Sequence, residues 1–274
     1  VKDGSMTAHP LPEGFLSFAT NWKEIVSGLG WGLGYFGMPH IIIRFMSLRS
    51  ERELRKSSVI GISWTTIILV MSAVSAVAGR LFLGEIDDSS TVFITMVRRI
   101  FPPLVSGLLL SAILAAAMST ADSQLLASAS AFASDVYKPV FRKNASDREM
   151  LWAGRVVVII ISVVALLIAS NPGSGTIMSL VENAWGLFGA AFGPTILLSL
   201  FWKRFNFKGA VAGIVVGAAV DVLWLIFLKS GSGIYEIIPG FFASLLAAVI
   251  VTLATPAPSA EVETLFDRAS QPEK

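Results

Sequence analysis

The chain has 274 residues, of which 54% are hydrophobic and 15% charged, with a mean hydropathy of +0.72; a soluble domain carries roughly 25% charged residues, so the apolar excess points to lipid. A net charge of +2 excludes a basic field of the kind that binds nucleic acid. The absence of cysteine excludes a disulfide framework, a thiolate nucleophile and Cys-ligated zinc or iron–sulfur centres.

Residues 1–24 are polar and lack the charged, apolar and small-residue regions of a signal peptide; they read as the remnant of an extracellular loop. About 20 mostly apolar residues cross a hydrocarbon layer ~30 Å thick, and seven stretches qualify: 25–44, 57–83, 103–136, 151–169, 176–201, 209–228 and 234–254. Each is predicted to be a helix, because backbone polar groups in lipid must be satisfied within the segment. The runs are continuous, unlike the ten-residue alternation of a membrane barrel. The expected fold class is an all-α integral membrane protein, a multi-helix bundle over residues 25–254.

The stretch 84–101 carries Glu85, Asp87, Asp88, Arg98 and Arg99 and is too charged to span, so it reads as an external helical loop. Residues 255–274, with Pro256 and Pro258, read as a short, weakly ordered tail. Lysine and arginine crowd alternate loops: Arg44, Arg49, Arg52, Arg55 and Lys56; Lys138, Arg142, Lys143, Arg148 and Arg155; then Lys203, Arg204 and Lys208. The intervening loops hold only Arg80, Arg98, Arg99 and Lys229, and the N-terminal segment adds Lys2 and Lys23. Positive charge is retained on the cytoplasmic side, which puts residue 1 outside and the C-terminus inside.

The first stretch contains GLGWGLGYFGMPH, with Gly28, Gly30, Gly32, Gly34, Gly37 and Pro39. An interior Gly costs a helix about 1 kcal/mol relative to Ala and Pro about 3, so a break is predicted around Gly32, Gly34 and Gly37. Glycine-interrupted spans mark binding sites in transporters; the alternative is close packing through the GxxxG pairs Gly28/Gly32 and Gly30/Gly34. Trp31 and Tyr35, four apart, share a face beside the break and offer an apolar plane and a hydroxyl, or else belong to an interfacial aromatic belt. By contrast, Gly209, Gly213 and Gly217 on an uninterrupted stretch read as packing residues.

The third stretch, SAILAAAMSTADSQLLASASAFASD, is rich in oxygen. Ala116 and Thr120, and likewise Ser119 and Ser123, are four apart, so hydroxyls and small residues share a broad face. Hydroxyls and backbone carbonyls suit a hard cation such as sodium; they also serve as interhelical links or bond back to their own helix. Asp122 beside them is the ionisable group most placed for function within a span. Glu182 and Asp221 fall near span ends, where solvent reaches them.

Several motifs together, GLGWGLGYFG.PHI..RFM, LLSAILAA.MST..SQLL, GAAFGP, GA.AG...G and YEIIPG, resemble the sodium/solute symporter family in its sodium/proline branch, from about Gly28 to the tail. The resemblance implies a LeuT-like inverted-repeat fold with substrate and ion at midplane beside broken helices. It implies that Trp31, Tyr35 and Pro39 contribute to a site for L-proline, and that Ser119 and Thr120 give hydroxyls and Ala116 a carbonyl to a sodium ion. Asp122 and Ser123 fall in a stretch that varies between members and are accessory candidates by their place beside the hydroxyls. Sodium is then the coupling ion, and no other cofactor is implied. Further sodium ligands and part of the substrate site are expected in an N-terminal half preceding residue 1. Met38 departs from the glutamine frequent in the proline branch, which leaves another small carboxylate-bearing solute as an alternative substrate. A symporter-like membrane sensor calls for a long soluble extension, whereas the chain stops about twenty residues after its last span. An enzyme is not expected, since there are two histidines, no cysteine and no HExxH.

Overall fold

The computed structural model describes residues 8–17, 21–46, 48 and 50–270; Lys2 and Arg49 of the charge pattern lie outside the described residues, as does the side chain of Arg52. The helices are α1 (Trp22–Gly34), α2 (Pro39–Met46), α3 (Glu51–Leu83), α4 (Val92–Ile100), α5 (Pro103–Ala131), α6 (Asp147–Ala169), α7 (Ile177–Phe201), α8 (Phe207–Leu223), α9 (Lys229–Ser232), α10 (Ile237–Ala254) and α11 (Ala260–Ala269). Wider π-helical turns extend α5 over Phe132–Phe141 and α8 over Trp224–Leu228. No strand occurs among the described residues.

Six helical stretches are long and apolar enough to cross a membrane, matching the six expected spans from the second onward. The stretch 25–44 is instead two short helices, because α1 ends at Gly34 and α2 begins at Pro39. The Gly37 amide donates to the Gly34 carbonyl (3.0 Å), closing a turn between them. Proline suits the first position of α2, where no helical donor is needed. The tail, expected to be weakly ordered, holds α11, which Lys203 ties down by an ion pair to Asp267 (2.6 Å). The hydrogen bond from Lys203 to Asp267 holds its ammonium above the ordinary lysine range.

The chain divides into two units, one of Val1–Ser17 and Arg49–Leu166, the other of Phe18–Leu48 and Leu167–Lys274. In the first, α4 lies against α3 where Gly79 leaves room for Val92 and Met96. The Ser106 hydroxyl donates to the carbonyls of Val97 and Phe101 (both 3.1 Å), joining α5 to the end of α4. Tyr137 and Arg142 both donate to Glu149 Oε1 (2.8 and 2.9 Å), linking the end of α5 to α6. Only 11%, 6% and 0% of the most apolar stretches of α3, α5 and α6 are buried, against 33% for α7 and for α10.

The second unit is built on α7, α8 and α10, which meet through small residues. Lipid offers no hydrophobic drive between helices, so close backbone approach carries the association. Gly209, Gly213 and Gly217 of α8 face Thr252, Ala248 and Ser244 of α10, the packing role expected of them. Pro194 has no amide to offer the Ala190 carbonyl four residues earlier, and that carbonyl faces Gly217 of α8, where no Cβ obstructs it. Asn206 caps α8 by accepting from the Gly209 amide (2.9 Å) and donates to Thr255 Oγ1 (2.8 Å), fastening the start of α8 to the end of α10.

Candidate functional site

The end of α1 rests on α7. A Cβ at Gly34 would fall within the Trp185 indole, and one at Gly37 would meet the Phe188 carbonyl and lie 2.9 Å from Gly189 Cα. A Cβ at Gly30 would lie 2.9 Å from Ile238, whereas Gly28 and Gly32 have nothing within 4 Å. Of the two GxxxG pairs, Gly30/Gly34 is therefore a packing pair, whereas Gly28 and Gly32 are exposed and face open space.

Trp31 and Tyr35 sit beside this crossing, Trp31 half-buried and Tyr35 52% exposed. Two further aromatic residues join them. Trp185 of α7 lies 6.0 Å from Trp31 and 4.9 Å from Tyr35 between ring centroids, the latter edge-on at 84°, and Tyr235 lies 5.6 Å from Trp31. The Trp185 indole N–H donates to the Trp31 carbonyl (2.9 Å). The Tyr235 amide donates to Ser27 Oγ (3.1 Å) and its hydroxyl to the Glu182 carbonyl (2.7 Å), so α1, α7 and the start of α10 are tied at one point. Pro39 is exposed at the start of α2, and Met38 beside it is buried.

Charged groups cluster at the same end of α7 and α10. Lys229 Nζ lies 2.9 Å from Glu182 Oε1 and 2.8 Å from Glu236 Oε2, and Glu236 is wholly buried. Glu182 is thus half-buried in an ion pair. Asp221, expected within reach of solvent, is 1% exposed, and neither carboxylate oxygen has a hydrogen-bond partner among the described residues. The reason is local: Gly186 and Gly240 let α7 and α10 close over it, a Cβ at Gly186 falling 3.2 Å from Asp221 Oδ1.

In the other unit, Ala116, Ser119, Thr120, Asp122 and Ser123 all lie exposed on α5. The Thr120 hydroxyl donates to the Ala116 carbonyl (3.2 Å) and the Ser123 hydroxyl to the Ser119 carbonyl (2.9 Å), the back-bonded arrangement open to hydroxyls in a helix. Oxygens 3.2 Å apart, such as those of Ala116 and Thr120, can both sit at roughly 2.4 Å from one hard cation. Among the described residues no group of three or more His, Asp or Glu is placed to hold a metal ion.

The sequence profile of the sodium:solute symporter family matches residues 4–217. The chain belongs to this family. It is 45% identical over 248 residues to the osmoregulated proline transporter of Bacillus subtilis, covering 89% of this chain and 50% of that protein. The high-affinity proline transporter of Bacillus subtilis is 43% identical over 254 residues, with 90% and 53% covered. Sodium/proline symporter 2 of Staphylococcus saprophyticus is 43% identical over 260 residues, with 90% and 51% covered. The chain spans about half the length of these relatives. This member of the symporter family is an all-helical, multi-pass membrane protein.

In this symporter-family chain the partners Trp31 of Trp185, Ser27 of Tyr235 and Glu182 of Lys229 lie far away along the sequence, where local spacing gives no sign of them. Trp185 lies 154 residues from the Trp31 carbonyl that it reaches, and Tyr235 lies 208 from Ser27. The signal that could have found them is their place in motifs: Tyr235 heads YEIIPG, and Trp185 precedes GAAFGP by four residues, one helical turn.

Proposed function

We propose that this symporter-family chain is the C-terminal part of a bacterial sodium/proline symporter, importing L-proline across the cytoplasmic membrane on the sodium gradient. The observation that carries the reading is identity of 43–45% over about nine-tenths of the chain to proteins named as proline transporters and a sodium/proline symporter. In this reading Trp31, Tyr35 and Pro39 contribute to the proline site at the interruption between α1 and α2. Ala116, Ser119 and Thr120 contribute oxygens to sodium, with Asp122 and Ser123 beside them. Sodium binding stabilises the outward-open state that accepts the solute, since a ligand shifts only states that it binds unequally. The sparsely buried faces of α3, α5 and α6 support a further contribution from an N-terminal half of the same protein, in a LeuT-like inverted-repeat fold.

The test is radiolabelled proline uptake by the full-length protein in proteoliposomes, with and without an inward sodium gradient. Accumulation is expected only with the gradient. In Thr120→Val the sodium concentration for half-maximal uptake should rise about tenfold or more, the worth of one lost charge-assisted contact, with insertion unchanged. Unaltered sodium activation would remove Thr120 from the ion site. Sodium-driven uptake of another small carboxylate-bearing solute, with none of proline, would retain the ion site and replace the substrate; the buried Met38 at the break is the residue that would then draw attention.

A further inference from the structure

We propose that Trp185 of α7 is a positioning residue that holds the interruption between α1 and α2, and with it Trp31 and Tyr35, in the geometry that meets substrate. The inference rests on the reading of that interruption as the solute site. Trp185 makes three separate contacts with the interruption. Its indole N–H donates to the carbonyl of Trp31 at 2.9 Å, in the last turn of α1, where carbonyls lack donors from a following turn. Its ring meets both Trp31 and Tyr35, at 6.0 and 4.9 Å between centroids. The same ring occupies the space that a side chain at Gly34 would need, so it is keyed into the backbone as well as the side chains.

The two sides of this contact differ in how firmly they are held. Around Trp185, α7 is packed through Gly186, Gly189, Ala190 and Ala191, all buried. Tyr35, on the turn, is more than half exposed and has the Trp185 ring as its one aromatic neighbour among the described residues. A firmly packed helix thus presents one indole to the end of α1 and to Tyr35, while Gly37 of the turn lies buried against the Phe188 carbonyl of the same helix. The consequence is that α7 sets where Trp31 and Tyr35 stand, without Trp185 itself having to touch the solute.

Ser174 supplies an internal control. Its hydroxyl is also a neutral donor to a backbone carbonyl, that of Ile168 at the end of α6 (2.7 Å), and it touches none of Trp31, Tyr35 and Trp185. Trp185→Phe deletes the indole donor and keeps an aromatic ring; Ser174→Ala deletes the hydroxyl donor. In the full-length protein in proteoliposomes, Trp185→Phe should raise KM for sodium-driven uptake about fivefold while kcat stays within about twofold, the size of one lost neutral hydrogen bond. Ser174→Ala should leave KM unchanged. A second readout needs no substrate: with Phe36→Cys as the sole accessible thiol in the turn, Trp185→Phe should speed maleimide labelling by loosening Tyr35 and residue 36, and Ser174→Ala should not. If wild type takes up another solute instead of proline, the proline reading fails while the labelling comparison still decides the role of Trp185. Trp185→Phe matching Ser174→Ala in both readouts, or lowering only the amount of inserted protein, overturns the proposal.

Discussion

Lys229 faces two carboxylates, and the two are not equivalent. Glu182 keeps 27% of its side chain exposed, whereas Glu236 is wholly enclosed. Removing the ammonium leaves Glu236 as a buried charge without a counter-charge, a change that costs about 3–5 kcal/mol where it has been measured in protein interiors. Lys229→Met is therefore expected to lower the thermal stability of the detergent-solubilised protein sharply, and adding Glu236→Gln should recover most of the loss. A Lys229→Met protein as stable as wild type would mean that the pair is electrostatically idle. At this scale the amino-acid sequence conveys least. Glu182 and Lys229 are 47 residues apart, and no local spacing reports that they meet. Asp221 stands near the end of an apolar stretch and reads as solvated; only the glycines opposite it, on two other helices, enclose it.

At the scale of the helix, composition locates the interruption and contact decides which glycines it needs. The six-residue density of Gly and Pro in GLGWGLGYFGMPH predicts a weak helix, and α1 does stop at Gly34. Propensity treats Gly32 and Gly37 alike, but the structure does not. A Cβ at Gly37 would press on the Phe188 carbonyl and on Gly189 Cα, both backbone and unable to rotate aside, whereas Gly32 faces open space. Gly37→Ala should therefore destabilise the folded protein by about 1–3 kcal/mol, the range for overpacking. Gly32→Ala should be neutral in packing and strengthen α1 by up to about 1 kcal/mol. Thermal melts of the two variants separate the cases; a Gly37→Ala protein as stable as wild type would mean that the crossing of α1 over α7 is looser than described. The same contrast explains why the packing role of Gly209, Gly213 and Gly217 was legible: no Pro or second Gly run interrupts α8, which leaves packing as the reason for their spacing.

For the whole molecule, the strongest signal in the chain is the length and hydropathy of its apolar stretches, because the thickness of the hydrocarbon layer imposes it on every span independently of tertiary contacts. Six of the seven expected spans are single helices for that reason. Orientation depends instead on charge in the loops, and it makes a prediction for each connection. Basic residues cluster between α5 and α6 and between α7 and α8, which predicts a cytoplasmic side for those loops and the tail. The α3–α4 connection and the α9 region are then predicted to be outside. Exposed positions suit single cysteines, since this chain contains none of its own. In a full-length protein cleared of other cysteines, Asp87→Cys and Gly231→Cys should react in whole cells with a charged, membrane-impermeant maleimide. Lys143→Cys and Ser259→Cys should react only after permeabilisation. The opposite pattern would reverse the orientation and leave the six crossings standing. A pattern in which Asp87 and Lys143 react from the same side would mean that α5 does not cross, and would remove the stretch bearing Ser119 and Thr120 from the membrane altogether.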